Sequence, residues 1–361
     1  MWPYWLMFVV PAIVALMSEV DRARSRPSSV SARLNEAWVA VAAVMTLLIG
    51  YRYEVGGDWF NYFHYLNDVR GVTLDEVVLM SDPGYQIINW LSVEMNWDVF
   101  GVNLMGGALF AVGLVVFCRH LPRPWLALSV AMPYLVIVVA MGYSRQGIAL
   151  GLAMLGLVAL GKGAPGRFVF WVMLAATFHK TAVLLLPIAA LAAARNRMLA
   201  FAWGAGSVAL GYFLFLEDAA ESLYKNYVEA EYQSSGAMIR LAMNLLPALI
   251  LLLLRDRFRF AEAERKLWLW FALISIGLFG IFLVSPASTA IDRIALYMLP
   301  LQLVVFSHFP DVVSKRTVRD VAGPVAGVLL YYGLVQFVWL NFADHSQYWL
   351  PYRFYPLEAF F

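Results

Sequence analysis

The stretch YRYEVGGDWFNYFHY, residues 51 to 65, places Arg52, Glu54, Asp58 and His64 within thirteen positions, directly after a long apolar run. Four further polar groups interrupt or border apolar runs: GYSRQGIA with Arg145 and Gln146, FHKTA with His179 and Lys180, STAIDRIALY with Asp292 and Arg293, and LPYRFYP with Tyr352 and Arg353. Ionisable groups set against apolar sequence are expensive to keep there, and by default they mark a site. Arginine forks pair with phosphate oxygens, and an Asp or His can take a proton from a sugar hydroxyl. The set therefore suits an anionic, lipid-linked substrate that also carries sugars. Asp58 is the first candidate base, because the Gly56-Gly57 pair beside it lets the backbone turn sharply, and His179 is the second. Arg52, Arg145, Lys180 and Arg293 are the candidates for gripping the anion, with Arg353 as a further substrate contact and Tyr62, Gln146 and Tyr352 as sugar or hydroxyl contacts.

The elements that must position these residues are set by the solvent. Hydrophobic residues make up 62% of 361 positions and charged residues only 14%, more apolar surface than one globular core can hide. The chain reads as an all-α polytopic membrane protein. A net charge of +2 gives no reason to expect nucleic acid as a partner, and no glycine-rich nucleotide loop or CxxC pair occurs. The single cysteine, Cys118, rules out an intrachain disulfide and a cysteine-based zinc site. No cofactor or metal is expected.

Apolar runs predict about twelve transmembrane segments, near 2 to 18, 35 to 50, 99 to 118, 124 to 142, 146 to 160, 168 to 179, 181 to 194, 199 to 216, 239 to 254, 267 to 284, 293 to 309 and 321 to 341. The whole chain, 1 to 361, reads as one integral membrane domain, and its first run as a retained span. With the N-terminus outside, 18 of the 26 Lys and Arg residues fall in the inner loops, which is the bias expected of cytoplasmic loops. All five polar groups then meet at the outer face. Residues 52 to 98 form the longest outer loop, in which Tyr85, Ile88, Leu91 and Met95 predict an interfacial helix, and 217 to 238 form a second outer loop. Residues 168 to 194 strain the count. Twelve helical residues cover roughly 18 Å against a ~30 Å hydrocarbon core, so His179 and Lys180 lie below the outer surface, in two short spans or a re-entrant pair.

Each candidate also has a structural reading. Asp58 could serve only as a bridge to Arg52, and Asp292 as a partner for a neighbouring cation. The tyrosines and tryptophans of DWFNYFHY and QYWLPYRFYP suit an interfacial belt, as does His64. A transporter would place polar groups along a mid-depth pathway, often with internal repeats, and none are visible. A membrane acyltransferase fits less well, because the five histidines form no nucleophile arrangement.

In their order along the chain, YRYEVGGDWFNYF, DPGYQIINWL, SRQGIALGLAML, FHKTAVLLLP and DRIALY resemble the EpsG family, which is grouped with Wzy-type bacterial polysaccharide polymerases. Asp82 stands where that family usually has Glu. The resemblance implies a GT-C-like glycosyltransferase architecture whose outer loop carries interfacial helices. It implies a metal-independent polymerase that joins undecaprenyl-diphosphate-linked oligosaccharide repeat units at the periplasmic face of the bacterial inner membrane, beside a flippase and a chain-length regulator. A polysaccharide ligase, or an enzyme using another lipid-phosphosugar, would carry the same features.

Overall fold

The computed structural model describes residues 1–23, 31–188, 206, 236–285, 288–314 and 319–358. Among these the regular elements are all helical, and an isolated bridge joins Arg52 to Phe354. Apolar runs take this form because in hydrocarbon a helix bonds its own N–H and C=O groups internally.

The first helices are α1 (Trp2–Ala23), α2 (Ser31–Gly50), α3 (Asn61–Asp68), α4 (Leu74–Val77), α5 (Pro83–Glu94), α6 (Asp98–Arg119) and α7 (Pro124–Ala131). After α7 the chain widens into a π-helix over Met132–Ala140, all nine residues buried, and turns at Met141–Tyr143 into α8 (Ser144–Gly161). Then come α9 (Pro165–Ala176), α10 (Ala237–Leu253), α11 (Glu262–Val284), α12 (Ser288–Ala295), α13 (Pro300–Val313), α14 (Arg319–Phe342) and α15 (Tyr355–Glu358).

Six segments are long and apolar enough to cross a membrane: Trp2–Glu19, Asp98–Arg119, Ser144–Gly161, Glu262–Val284, Ile291–Val313 and Val321–Phe342. Runs 35 to 50, 124 to 142, 168 to 179 and 239 to 254 are helical but shorter. Of the remaining two, 189 to 194 and nearly all of 199 to 216 lie outside the described residues, as does most of the loop 217 to 238. Among the described residues there are thus six candidate spans by length and composition, short of the expected twelve.

Small residues bring the helices that carry the site together. A Cβ on Gly113 of α6 would sit 2.1 Å from the Gly151 carbonyl oxygen of α8, a backbone approach that only glycine permits. At the opposite end of the bundle Arg123 ties α1, α7 and α13 by pairing with Glu19 at 3.1 Å and Asp311 at 2.6 Å. Within the bundle, the Tyr332 hydroxyl donates to Gln302, Gln302 donates to Asn244, and Asn244 donates to the Ala295 carbonyl, which knits α10, α12, α13 and α14. Buried polar groups in an apolar medium need such partners.

The interfacial helix expected in the first long loop is α5, but its buried face is Tyr85, Gln86, Ile88, Asn89 and Ser92. Met95 is exposed and Leu91 only half-buried. Three of the buried residues are polar, which an apolar periodicity cannot find. The C-terminal segment folds back over the same end: Gly56 N–H donates to the Tyr348 carbonyl, Tyr53 N–H to Arg353, and Tyr355 N–H to Tyr51.

Candidate functional site

The turn from the π-helix into α8 is the floor of the site. Gly142 lies under the Trp349 indole, whose N–H donates to the Ile137 carbonyl of the π-helix at 2.7 Å. The Tyr62 hydroxyl donates to the Gly142 carbonyl at 3.2 Å and accepts from the Ser144 N–H at 2.9 Å. Gly56, with φ +106°, brings the loop against the Met141 carbonyl, where a Cβ would stand 2.6 Å away. The first turn of α8 is thereby pinned from two sides.

Above it opens a polar cavity of about 200 Å³, lined by Asp58, Asn61, Tyr62, Tyr65, Tyr143, Ser144, Arg145, Gln146, His179 and Arg293. The structure brings together six of the ten residues expected at the site: Asp58, Tyr62, Arg145, Gln146, His179 and Arg293. They come from four separate segments. The Asp58 carboxylate forms no ion pair among the described residues. His179 presents a buried Nε2 that has no hydrogen-bond partner among them.

The two cations are held differently. Arg145 lies over the faces of Tyr65 at 4.8 Å and Tyr85 at 5.9 Å, and its Nη1 pairs with Asp82 Oδ2 at 2.9 Å. Burial pushes the Asp82 carboxyl above its ordinary range, against the pull of Arg145 and Lys180. Arg293 lies over Tyr143 at 4.5 Å and donates to Gln146 Oε1 at 3.3 Å, while Gln146 Nε2 donates to the Arg293 carbonyl at 2.7 Å. No carboxylate neutralises Arg293 among the described residues. The first turn of α8, the positive end of that helix, lines the same space, and with Arg293 it can take an anion.

Four expected ligands lie elsewhere. Arg52 is fully buried beneath the cavity and bonds protein groups only. Tyr352 donates to the Leu48 carbonyl at 2.7 Å and faces an apolar groove between α1 and α2. Arg353 pairs with Glu54 and with Glu358, fastening the C-terminal segment to the loop. Lys180 stands outside the lining, where its charge acts on Asp82. The structural reading of Asp58 as a bridge to Arg52 is overturned, since Arg52 finds its partners elsewhere. The corresponding reading of Asp292 holds, because Arg240 pairs with it.

Asn61, Tyr65, Tyr143 and Ser144 were not among the expected residues. A signal for two of them exists: Asp58, Asn61, Tyr62 and Tyr65 repeat at the spacing of one helical face. Ser144 and Tyr143 directly precede Arg145, and only the tight turn makes them wall residues.

An all-helical membrane protein with a charged, tyrosine-lined cavity at one end of its bundle is the class these features define. The description "EpsG family" matches residues 37–354, and the chain belongs to that family of Wzy-type polysaccharide polymerase-like proteins. No curated protein and no solved structure matches.

Proposed function

We propose that the protein is a polysaccharide polymerase that joins undecaprenyl-diphosphate-linked oligosaccharide repeat units at the periplasmic face of the bacterial inner membrane. The observation that carries this reading is one cavity lined by both a carboxylate, Asp58, and a guanidinium, Arg293, neither of which forms an ion pair among the described residues. The acceptor hydroxyl oxygen attacks the donor's anomeric carbon and its proton passes to Asp58. The bond from that carbon to the diphosphate oxygen breaks, and the electron pair leaves with the lipid diphosphate. Arg293, Arg145 and the first turn of α8 meet the charge that grows on the leaving oxygens. A diphosphate departs readily, so the scheme asks for a base and cations and for no metal. Asn61, Gln146 and the tyrosines supply contacts for sugar hydroxyls.

The test is reconstitution of the purified chain in nanodiscs with lipid-linked repeat units, following the polymer ladder on a gel and the release of undecaprenyl diphosphate together. A folded protein that forms neither product from any repeat unit offered would exclude the polymerase. Transfer of a preformed glycan to a different acceptor would turn the reading into that of a ligase.

A further inference from the structure

Arg52 is the largest charged side chain fully buried in the described structure, and its surroundings are unusual for a cation. Its Nη1 donates to the Ile49 carbonyl at the end of α2 and its Nε to the Val55 carbonyl at 3.3 Å. Its Nη2 donates to Asn103 Oδ1 at 2.9 Å and to Ser144 Oγ at 2.7 Å. The Trp59 ring lies 5.7 Å from the guanidinium. Every acceptor in this set is neutral, and among the described residues no carboxylate stands within ion-pair distance. Four of its five N–H groups are thus bonded, but the charge itself is not cancelled. A buried cation without a counter-charge is costly to keep.

Ser144 connects this charge to the cavity. Its oxygen accepts from Arg52, and the same residue lines the cavity beside Tyr62. Hydrogen bonds in such a chain polarise one another, and in a low-dielectric surrounding a nearby charge is weakly screened. We propose that Arg52 is a positioning residue for the anion of this site: from outside the cavity it fixes Ser144 and the first turn of α8, and it adds a positive potential that the bound diphosphate balances. The assignment rests on the polymerase reading only in naming a diphosphate as the anion.

Asn103 offers the discriminating substitution. Asn103→Asp keeps the shape and the acceptor oxygen but places a carboxylate on Arg52, and it removes an amide nitrogen, Nδ2, that has no partner. If Arg52 served the fold alone, this change would leave the cavity's affinity for anions untouched. With the charge acting on the cavity, inorganic pyrophosphate binds the full-length variant in nanodiscs roughly tenfold or more weakly, the scale of one lost charge-assisted hydrogen bond. The melting temperature is kept or raised. Arg52→Lys, which retains charge without the fork, keeps part of the affinity, and Arg52→Gln loses it. Equal pyrophosphate affinity in folded wild type and Asn103→Asp overturns the role of Arg52. Failure of the wild type itself to bind pyrophosphate overturns the anion site, and the proposed function with it.

Discussion

Arg240 and Asp292 meet in a two-point ion pair, with Nε to Oδ1 and Nη2 to Oδ2 both at 2.6 Å, joining α10 to α12. Both side chains are nearly buried, at 11% and 7% exposure. The residue that follows Asp292 is Arg293, the unneutralised cation of the cavity. The pair thus fixes the short helix from which Arg293 reaches the site, and planar fork-to-carboxylate bonding fixes direction as well as distance.

Removing one side of this pair takes the two-point contact from a nearly buried charge. Asp292→Asn should destabilise the protein by about 1.5 to 3 kcal/mol, the scale of hydrogen bonding to a charged group. Thermal unfolding in nanodiscs measures it. Reversing both residues, Arg240→Asp with Asp292→Arg, should recover part of the loss, and no recovery would show that the pair does not set the stability here.

Asp58 carries no structural partner among the described residues, so its removal should separate activity from folding. Asp58→Asn should lower turnover on the order of a hundred- to ten-thousand-fold, the range of general-base catalysis, with the melting temperature unchanged. Turnover near wild type would pass the role of base to His179, whose free Nε2 faces the same cavity.

What the sequence disclosed and what it hid divide along physical lines. Apolar runs showed where ten of the helices lie, because hydrocarbon imposes internal hydrogen bonding on every crossing segment. Polar interruptions such as Asp58, Arg145, His179 and Arg293 identified cavity residues, since charges at such places need a use. The same signal also gathered Arg52, Lys180, Tyr352 and Arg353, which lie outside the cavity lining, because a structural polar residue in a loop and a ligand-binding one have the same neighbours in sequence. Arg52 is told apart only by Asn103 and Ser144, which lie 51 and 92 residues away. Arg240 and Asp292 are likewise 52 residues apart. The π-helix at Met132–Ala140 left no trace in the apolar pattern, since MPYLVIVVA is apolar at either pitch.

The charge bias of the loops predicts which end of the bundle faces out. In a Cys118→Ala background, a cysteine at Asp75, on the cavity's side of the chain, should react with an impermeant thiol reagent in intact cells. One at Ala261, in the basic loop before α11, should react only after the membrane is opened; both positions are exposed in the fold. The reverse pattern would place the cavity in the cytoplasm and end the periplasmic assignment.

Arg145 has two possible duties, because it both lines the cavity and pairs with Asp82. If it stabilises charge on the leaving diphosphate, Arg145→Ala should cost roughly 2.7 to 4 kcal/mol of transition-state energy, about a hundred- to a thousand-fold in turnover. The same change takes the ion-paired cation from the buried Asp82 carboxylate, so stability falls too, and burial, opposed less once Arg145 is gone, raises the proton affinity of Asp82 further. Asp82→Asn in the same chain removes that stranded charge. The double variant should therefore regain most of the lost melting temperature while turnover stays low. An infrared carboxyl band present in Arg145→Ala and absent from the double variant would report the protonated Asp82 directly. If turnover returned together with stability, Arg145 would be no more than the counter-ion of Asp82, and the leaving group would be met by Arg293 and the first turn of α8.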